Sequence, residues 1–154
     1  MDTTTRAELI RRYSEGYAAV EAALAGITPA QLDNPDADGW TARQVVHHLA
    51  DSEMTSALRL RKLIAEDVPV LYGYDEVLYA NNLFYHSRPV EGSLLAFRGA
   101  RESCLTILSS LGPSDWDRHG WHTERGAYSL ADWLEIYAAH GHDHADQIWR
   151  ARGA

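Results

Sequence analysis

The chain has 154 residues, 45% of them hydrophobic, which suits one globular domain and argues against intrinsic disorder. The net charge is −8 and the lysines and arginines are scattered, so we do not expect nucleic acid as a partner. A single cysteine excludes an intrachain disulfide, and no apolar run reaches the ~20 residues of a membrane span. Because the N-terminal residues also lack a secretory pattern, we expect a single cytoplasmic domain covering residues 1–154.

Apolar residues at steps of three and four predict four long helices. The first is expected over residues 4–25, and the second over 42–65 with Thr41 as its N-cap. An irregular crossover, 70–89, follows, with a short helix near 76–84. The third helix is expected between Pro89 and Gly112, a small hairpin over 121–128, and the fourth helix over 130–151. Since no such helix buries its apolar face alone, the sequence predicts an all-α four-helix bundle with a long crossover between helices 2 and 3.

Three histidines fall on the predicted inner faces of two helices. His140 and His144 are four residues apart on the fourth helix and therefore face the same way. His48 has a similar place among apolar residues of the second helix. A buried imidazole must be hydrogen-bonded or metallated. The pattern favours one divalent metal ion held by His48, His140 and His144, with hydrogen-bonded core histidines as the alternative.

The other histidines are expected to face solvent. His47 is rotated by about 100° from His48, and His142 by about 200° from His140, around their helix axes. Three more are predicted in irregular segments: His86, His119 and His122. Of these, His122 could approach an interior site from the hairpin, although exposure is the commoner outcome at such a position.

Polar residues also follow the inner face of the second helix at steps of four, three and four: His48, Ser52, Thr55 and Arg59. Ser52 and Thr55 are compatible with close helix approach. A buried Arg59 needs an anionic partner, so it either forms a structural ion pair or binds substrate, and both alternatives stay open.

The third helix carries polar residues without an evident site. Arg98, Arg101 and Glu102 are expected on a solvated face, with Arg98 nearer to the apolar stripe. Cys104 is predicted in the middle of this helix with no histidine beside it in sequence. It is therefore interpreted as an inert core residue and not as a nucleophile.

Two segments, residues 39–52 with the pattern H-H-L-x-D and residues 137–148 with H-G-H-D-H, resemble the DinB/YfiT-like family, and within it the bacillithiol S-transferase branch. That likeness implies a four-helix bundle, a homodimer and one metal ion, commonly nickel or zinc, held by His48, His140 and His144. Members often have a further histidine where this chain has Asp143, which either supports a ligand imidazole or points outward.

The resemblance also implies a reaction. Three neutral imidazoles leave a coordination position open, as in catalytic metal sites. We expect a metal-dependent S-transferase in which a low-molecular-weight thiol similar to bacillithiol, bound at Ser52 and Arg59, attacks an electrophilic small molecule. Arg59 and His122 are the expected catalytic residues. The alternatives are a hydrolase that uses a metal-bound water and a non-catalytic stress-response bundle that binds metal.

Overall fold

The computed structural model describes residues 1–153, which form six α-helices and three short strands. The first half contains α1 (Thr3–Leu24), α2 (Pro29–Leu32), α3 (Ala42–Ala65), β1 (Val70–Leu71) and α4 (Glu76–Asn82). The second half contains α5 (Glu91–Leu108), a 3₁₀ turn (Pro113–Asp117), β2 (His119–His122), β3 (Gly126–Ser129) and α6 (Leu130–Ala151). The four long helices, α1, α3, α5 and α6, agree with the predicted spans to within one helical turn.

Capping boxes fix where α3 and α6, the two histidine-bearing helices, begin. The Thr41 hydroxyl accepts a hydrogen bond from the Gln44 amide at 3.2 Å, and the Gln44 side chain accepts one from the Thr41 amide at 3.0 Å. Ser129 and Asp132 make the same exchange at 3.1 and 2.7 Å. These bonds satisfy amides that a helix start leaves unpaired. The sequence at each cap therefore fixes the register of the histidines that follow.

The long helices pack into one bundle, α1 against α5 and α6, and α3 against α5 and α6. Its interior contains two apolar clusters, one including Trp133 and the other including Phe97. Between the clusters, each long helix contributes a buried or half-buried polar residue or glycine: Gly16, Glu53, Arg101, His140 and Gly141. A polar layer therefore crosses the bundle. None of the helices in residues 1–153 has the length and apolar character that crossing a bilayer requires.

Two glycines make room for this polar layer. A Cβ built on Gly141 would lie 3.0 Å from the Cα of Gly16, so α1 and α6 approach each other closely at this point. A Cβ on Gly16 would lie 2.6 Å from a guanidinium nitrogen of Arg101. Gly141 thus allows α1 and α6 to approach closely, and Gly16 leaves room for an arginine from α5 at the centre of the bundle.

A small sheet joins the crossover to the segment before α6. β2 and β3 form the predicted hairpin, with Trp121 opposite Ala127. β1 pairs with β2 in parallel, Val70 opposite Trp121, and was not predicted. A strand of two residues has no alternation that a sequence pattern could reveal. The predicted two-stranded hairpin is therefore extended by β1 to a three-stranded sheet in a mostly helical chain, and this sheet positions the crossover beside the hairpin.

Candidate metal centre

His48, His140 and His144 meet where α3 packs against α6. One ring nitrogen of each lies within 4.8 Å of those of the other two. The Nε2 atoms of His140 and His48 are 3.4 Å apart, and the rings of His144 and His48 have centroids 4.7 Å apart. The three histidines that the sequence analysis selected therefore form one cluster.

Burial keeps two of these imidazoles uncharged. Burial, together with the neighbouring histidines, lowers the pKa of His48 to about 3 and that of His144 to about 4. A neutral imidazole offers a lone pair, which is the form that binds metal. Three such donors fit a divalent ion such as zinc or nickel and leave a position for a further ligand.

Polar side chains face the second ring nitrogen of two of these histidines. Nδ1 of His144 is 2.8 Å from Oε1 of Gln147, whose amide donates to Asp36 at 3.0 Å. Nδ1 of His140 is buried without a hydrogen-bond partner in residues 1–153 and lies 3.4 Å from a carboxylate oxygen of Glu53. Such neighbours place the ring proton on Nδ1 and leave Nε2 free to bind an ion. Asp143, for which two roles were open, has an exposed side chain.

Glu53 is fully buried behind His140, where it pairs with Arg101. The guanidinium of Arg101, 2% exposed, also donates to the Tyr13 carbonyl at 2.6 Å and to the Tyr137 carbonyl at 3.2 Å. The Tyr13 hydroxyl lies 3.4 Å from the Glu53 carboxylate. These bonds satisfy both charges without water and join all four long helices behind the cluster.

The expectation that Arg101 lies on a solvated face, with Arg98 nearer to the apolar stripe, was wrong. Arg101 is buried, whereas Arg98 and Glu102 are exposed as expected and pair at 2.7 Å. A signal for this was present in the sequence, because Arg101 follows the buried Phe97 by four residues and precedes the buried Cys104 by three. That spacing puts its side chain on the apolar face of the helix.

The expectation that His47 faces solvent was also wrong. Its side chain is fully buried, with Nδ1 2.8 Å from the Ser93 hydroxyl and Nε2 3.1 Å from the Arg88 carbonyl. Burial lowers its pKa. α5 and the end of the crossover cover this face of α3, and both ring nitrogens are engaged there. His142 lies outside the cluster, with Nε2 2.9 Å from the Arg12 carbonyl.

A cavity of about 140 Å³ opens beside His140. α3 contributes Ser52 and Arg59 to its wall, and α6 contributes Ile136, Tyr137 and His140. The crossover and the hairpin supply the rest: Tyr74, Glu76, His122, Glu124 and Arg125. The Ser52 hydroxyl is 3.5 Å from Nε2 of His140, so it lies between the histidine cluster and the cavity.

Arg59 reaches the cavity without an acidic partner. Its terminal nitrogens donate to the Tyr137 hydroxyl at 3.3 Å and to the Tyr72 carbonyl at 2.5 Å. Within residues 1–153 it forms no ion pair, and its Nε has no hydrogen-bond partner. Of the two alternatives for this residue, the structural ion pair is therefore not found in the described chain.

His122 is 2% exposed and lies on the cavity wall, although exposure was the commoner expectation. The Glu124 amide donates to its Nδ1 at 3.2 Å, and burial together with the charge of Arg59 lowers its pKa. A neutral imidazole that accepts at Nδ1 carries its proton on Nε2. The hairpin therefore supplies a hydrogen-bond donor to the cavity wall.

The metal-free protein is expected to lose stability as the pH falls from about 6.5 toward 4. In the unfolded chain a histidine has a pKa near 6.5, whereas in the folded protein the pKa is about 3 for His48 and about 4 for His144. The unfolded state therefore binds more protons throughout this window, and each histidine contributes a slope of about 1.4 kcal/mol per pH unit. Urea unfolding with a chelator at several pH values measures the slope. A His48→Gln variant should show a smaller slope, and an unchanged one would contradict the assignment.

Fold and site together define a class: a helical bundle whose three-histidine cluster can hold a metal ion beside a small polar cavity. The chain belongs to the DinB superfamily, whose family profile matches residues 12–148. The predicted family resemblance is thereby confirmed.

Individual relatives are similar over most of this chain. A protein of Oceanobacillus iheyensis is 40% identical to this chain over 110 residues. The match covers 71% of this chain and 63% of the relative, so this chain spans just under two thirds of the relative's length. A protein of Geobacillus thermodenitrificans is 35% identical over 139 residues, 87% of this chain and 76% of the relative. The names of both assign them, as candidates, to the metal-dependent hydrolases.

A solved structure, that of YfiT from Bacillus subtilis, superimposes with a TM-score of 0.91 at 29% identity. The superposition covers 98% of this chain and 87% of that chain. YfiT is described as a probable metal-dependent hydrolase with an unusual four-helix bundle topology. The helical bundle predicted from the sequence is thus shared with this neighbour.

Proposed function

We propose that this protein is a metal-dependent hydrolase acting on a small molecule bound in the cavity beside His140. The observation that carries the proposal is the three-histidine cluster, whose ligand atoms lie within 4.8 Å of one another next to that cavity. A divalent ion held by His48, His140 and His144 would supply Lewis-acid chemistry, lowering the pKa of a water or a thiol that it binds. The names of the relatives support hydrolysis over the thiol S-transferase that the sequence analysis placed first.

Residues of the cavity wall then act on the substrate. In ester hydrolysis a water oxygen bonds to the acyl carbon, the bond to the alcohol oxygen breaks, and that oxygen takes a proton. Negative charge develops on the acyl oxygen, and we propose that the Nε2–H of His122, which lines the cavity, donates a hydrogen bond to it. Arg59 and Ser52 line the same cavity, and we propose that they position the substrate.

A thiol nucleophile would have to come from outside the chain. Cys104, the single cysteine, is fully buried between α5 and its neighbours, and burial raises the pKa of its thiol. A buried thiol with a raised pKa is a poor nucleophile. A small thiol from solution would use the same open position as a water, which keeps S-transfer as the alternative reaction.

Hydrolysis of small esters or amides is expected with metal and without any added thiol. Protein loaded with zinc or nickel would be incubated with a substrate panel and the products identified by mass spectrometry, with a chelated sample in parallel. The Cys104→Ser variant should retain most of the activity, because its side chain neither lines the cavity nor joins the histidine cluster. Products that form only with an added thiol, and carry its mass, would establish the S-transferase instead. No reaction in either arm would favour the non-catalytic alternative.

A further inference from the structure

We propose that the cavity beside His140 binds the carboxylate of a small acidic substrate through the guanidinium of Arg59 and the hydroxyl of Tyr74. This inference rests on the proposed function, since it names the substrate class of the same site. The binding step itself requires no turnover, so it can be tested separately from hydrolysis.

Arg59 reaches the cavity without the counter-charge that Arg101 and Arg43 have. Arg101 pairs with Glu53, and Arg43 pairs with Asp33 at 2.6 Å. The two hydrogen bonds of Arg59 go to a hydroxyl and to a backbone carbonyl, which are both neutral. Arg59 is half-buried, and an incoming carboxylate would supply the charge that its guanidinium lacks.

Tyr74 brings a second donor to the same cavity from the crossover. Its hydroxyl is buried and has no hydrogen-bond partner in the described part of the chain. Burial raises its pKa, so the hydroxyl keeps its proton and can donate. Its ring packs on Tyr79 with centroids 4.4 Å apart, which holds the side chain in place. A buried donor without an acceptor is costly, and a carboxylate offers two acceptor oxygens.

The rest of the cavity wall is consistent with an acid bound in one orientation. Glu76 and Glu124, the acidic residues of the wall, have exposed side chains and form no ion pair with Arg59. A volume of about 140 Å³ admits a short acid of a few carbons. With its carboxylate at Arg59, the other end of such a molecule would lie toward Ser52 and His140, which line the same cavity.

A titration of sodium propionate against its uncharged isostere propionamide tests the proposal. Both compounds would be added to metal-loaded and to metal-free protein, and binding followed by NMR or calorimetry. We expect propionate to bind about tenfold or more tightly than propionamide in both preparations. Arg59→Gln should remove this difference. Tyr74→Phe, which deletes only the hydroxyl, should weaken propionate binding by about three- to tenfold with an unchanged circular dichroism spectrum.

Arg61→Gln is the matched control, because Arg61 lies on the same helix but donates to Ser103 at 2.7 Å, away from the cavity. This variant should bind propionate like the wild type. Inorganic phosphate, titrated in parallel, should bind more weakly than propionate if the site is built for a carboxylate. Unchanged propionate affinity in Arg59→Gln, or binding only when metal is present, would overturn the proposal. If Arg59→Gln does not fold, an unchanged affinity of Tyr74→Phe for propionate would overturn the proposal. A failure of hydrolysis would leave this titration unaffected.

Discussion

Replacing His140 or His144 with alanine is expected to reduce bound metal from about one divalent ion per chain to none. Each histidine presents a nitrogen within 4.8 Å of the other two, and two imidazoles alone do not hold zinc or nickel tightly. Neither substitution removes apolar core packing, so the fold should persist. Dialysis against zinc or nickel followed by elemental analysis gives the stoichiometry directly, and circular dichroism reports the fold.

His142→Ala is the matched control, because it removes a histidine from the same helix, between the two ligands. The imidazole of His142 contacts the Arg12 carbonyl at 2.9 Å and does not join the cluster. Metal content should therefore equal that of the wild type. The opposite result, loss with His142→Ala and retention with His144→Ala, would show that another face of α6 binds the ion.

Replacing Arg101 with alanine is expected to lower the free energy of unfolding by about 3–5 kcal/mol. The substitution leaves the fully buried carboxylate of Glu53 without its cation, and it breaks bonds to the carbonyls of Tyr13 and Tyr137. An uncompensated charge in a bundle interior is among the few causes of losses this large. Chemical denaturation followed by circular dichroism measures the change.

Arg98→Ala provides the comparison on the same helix. Its ion pair with Glu102 is solvent-exposed, so the free energy of unfolding should remain unchanged within error. A similar loss in both variants would mean that the buried pair has no special role in stability.

Glu53→Gln tests whether this buried pair also supports the metal centre. The amide keeps the shape of the side chain but removes the charge that faces Nδ1 of His140 at 3.4 Å. Removing such a partner typically weakens metal binding by about 10- to 100-fold. Competition with a chelator measures this affinity, and an unchanged value would limit Glu53 to a role in stability.

Several parts of the site were predictable because they depend on local periodicity. Residues four apart on a helix share a face whatever the helix packs against, so His140 and His144 had to point the same way. Capping residues such as Thr41 and Ser129 fixed the starts of both histidine-bearing helices. The apolar stripe, together with the family's H-L-x-D spacing, selected His48 over His47 as the histidine that joins this pair in the cluster.

Other parts depended on which surfaces meet. His47 is buried because α5 and the end of the crossover cover a face of α3 that no pattern within α3 reveals. The sequence did not indicate roles for Glu53 and Gln147. Glu53 contacts a histidine of another helix, and Gln147 contacts His144 only in the folded arrangement of the site. The cavity wall, including Tyr74, required the parallel pairing of β1 with β2, which lie far apart in sequence.

The sequence by itself determined the four long helices, the starting points of α3 and α6, and the three histidines of the cluster, because helix periodicity and capping act over a few residues. Tertiary structure alone decided that Arg101 neutralises Glu53 behind the cluster and that Arg59 has no such partner in the described chain. The physical reason is that the energy of a buried charge depends on the groups that surround it in space, and these come from different helices.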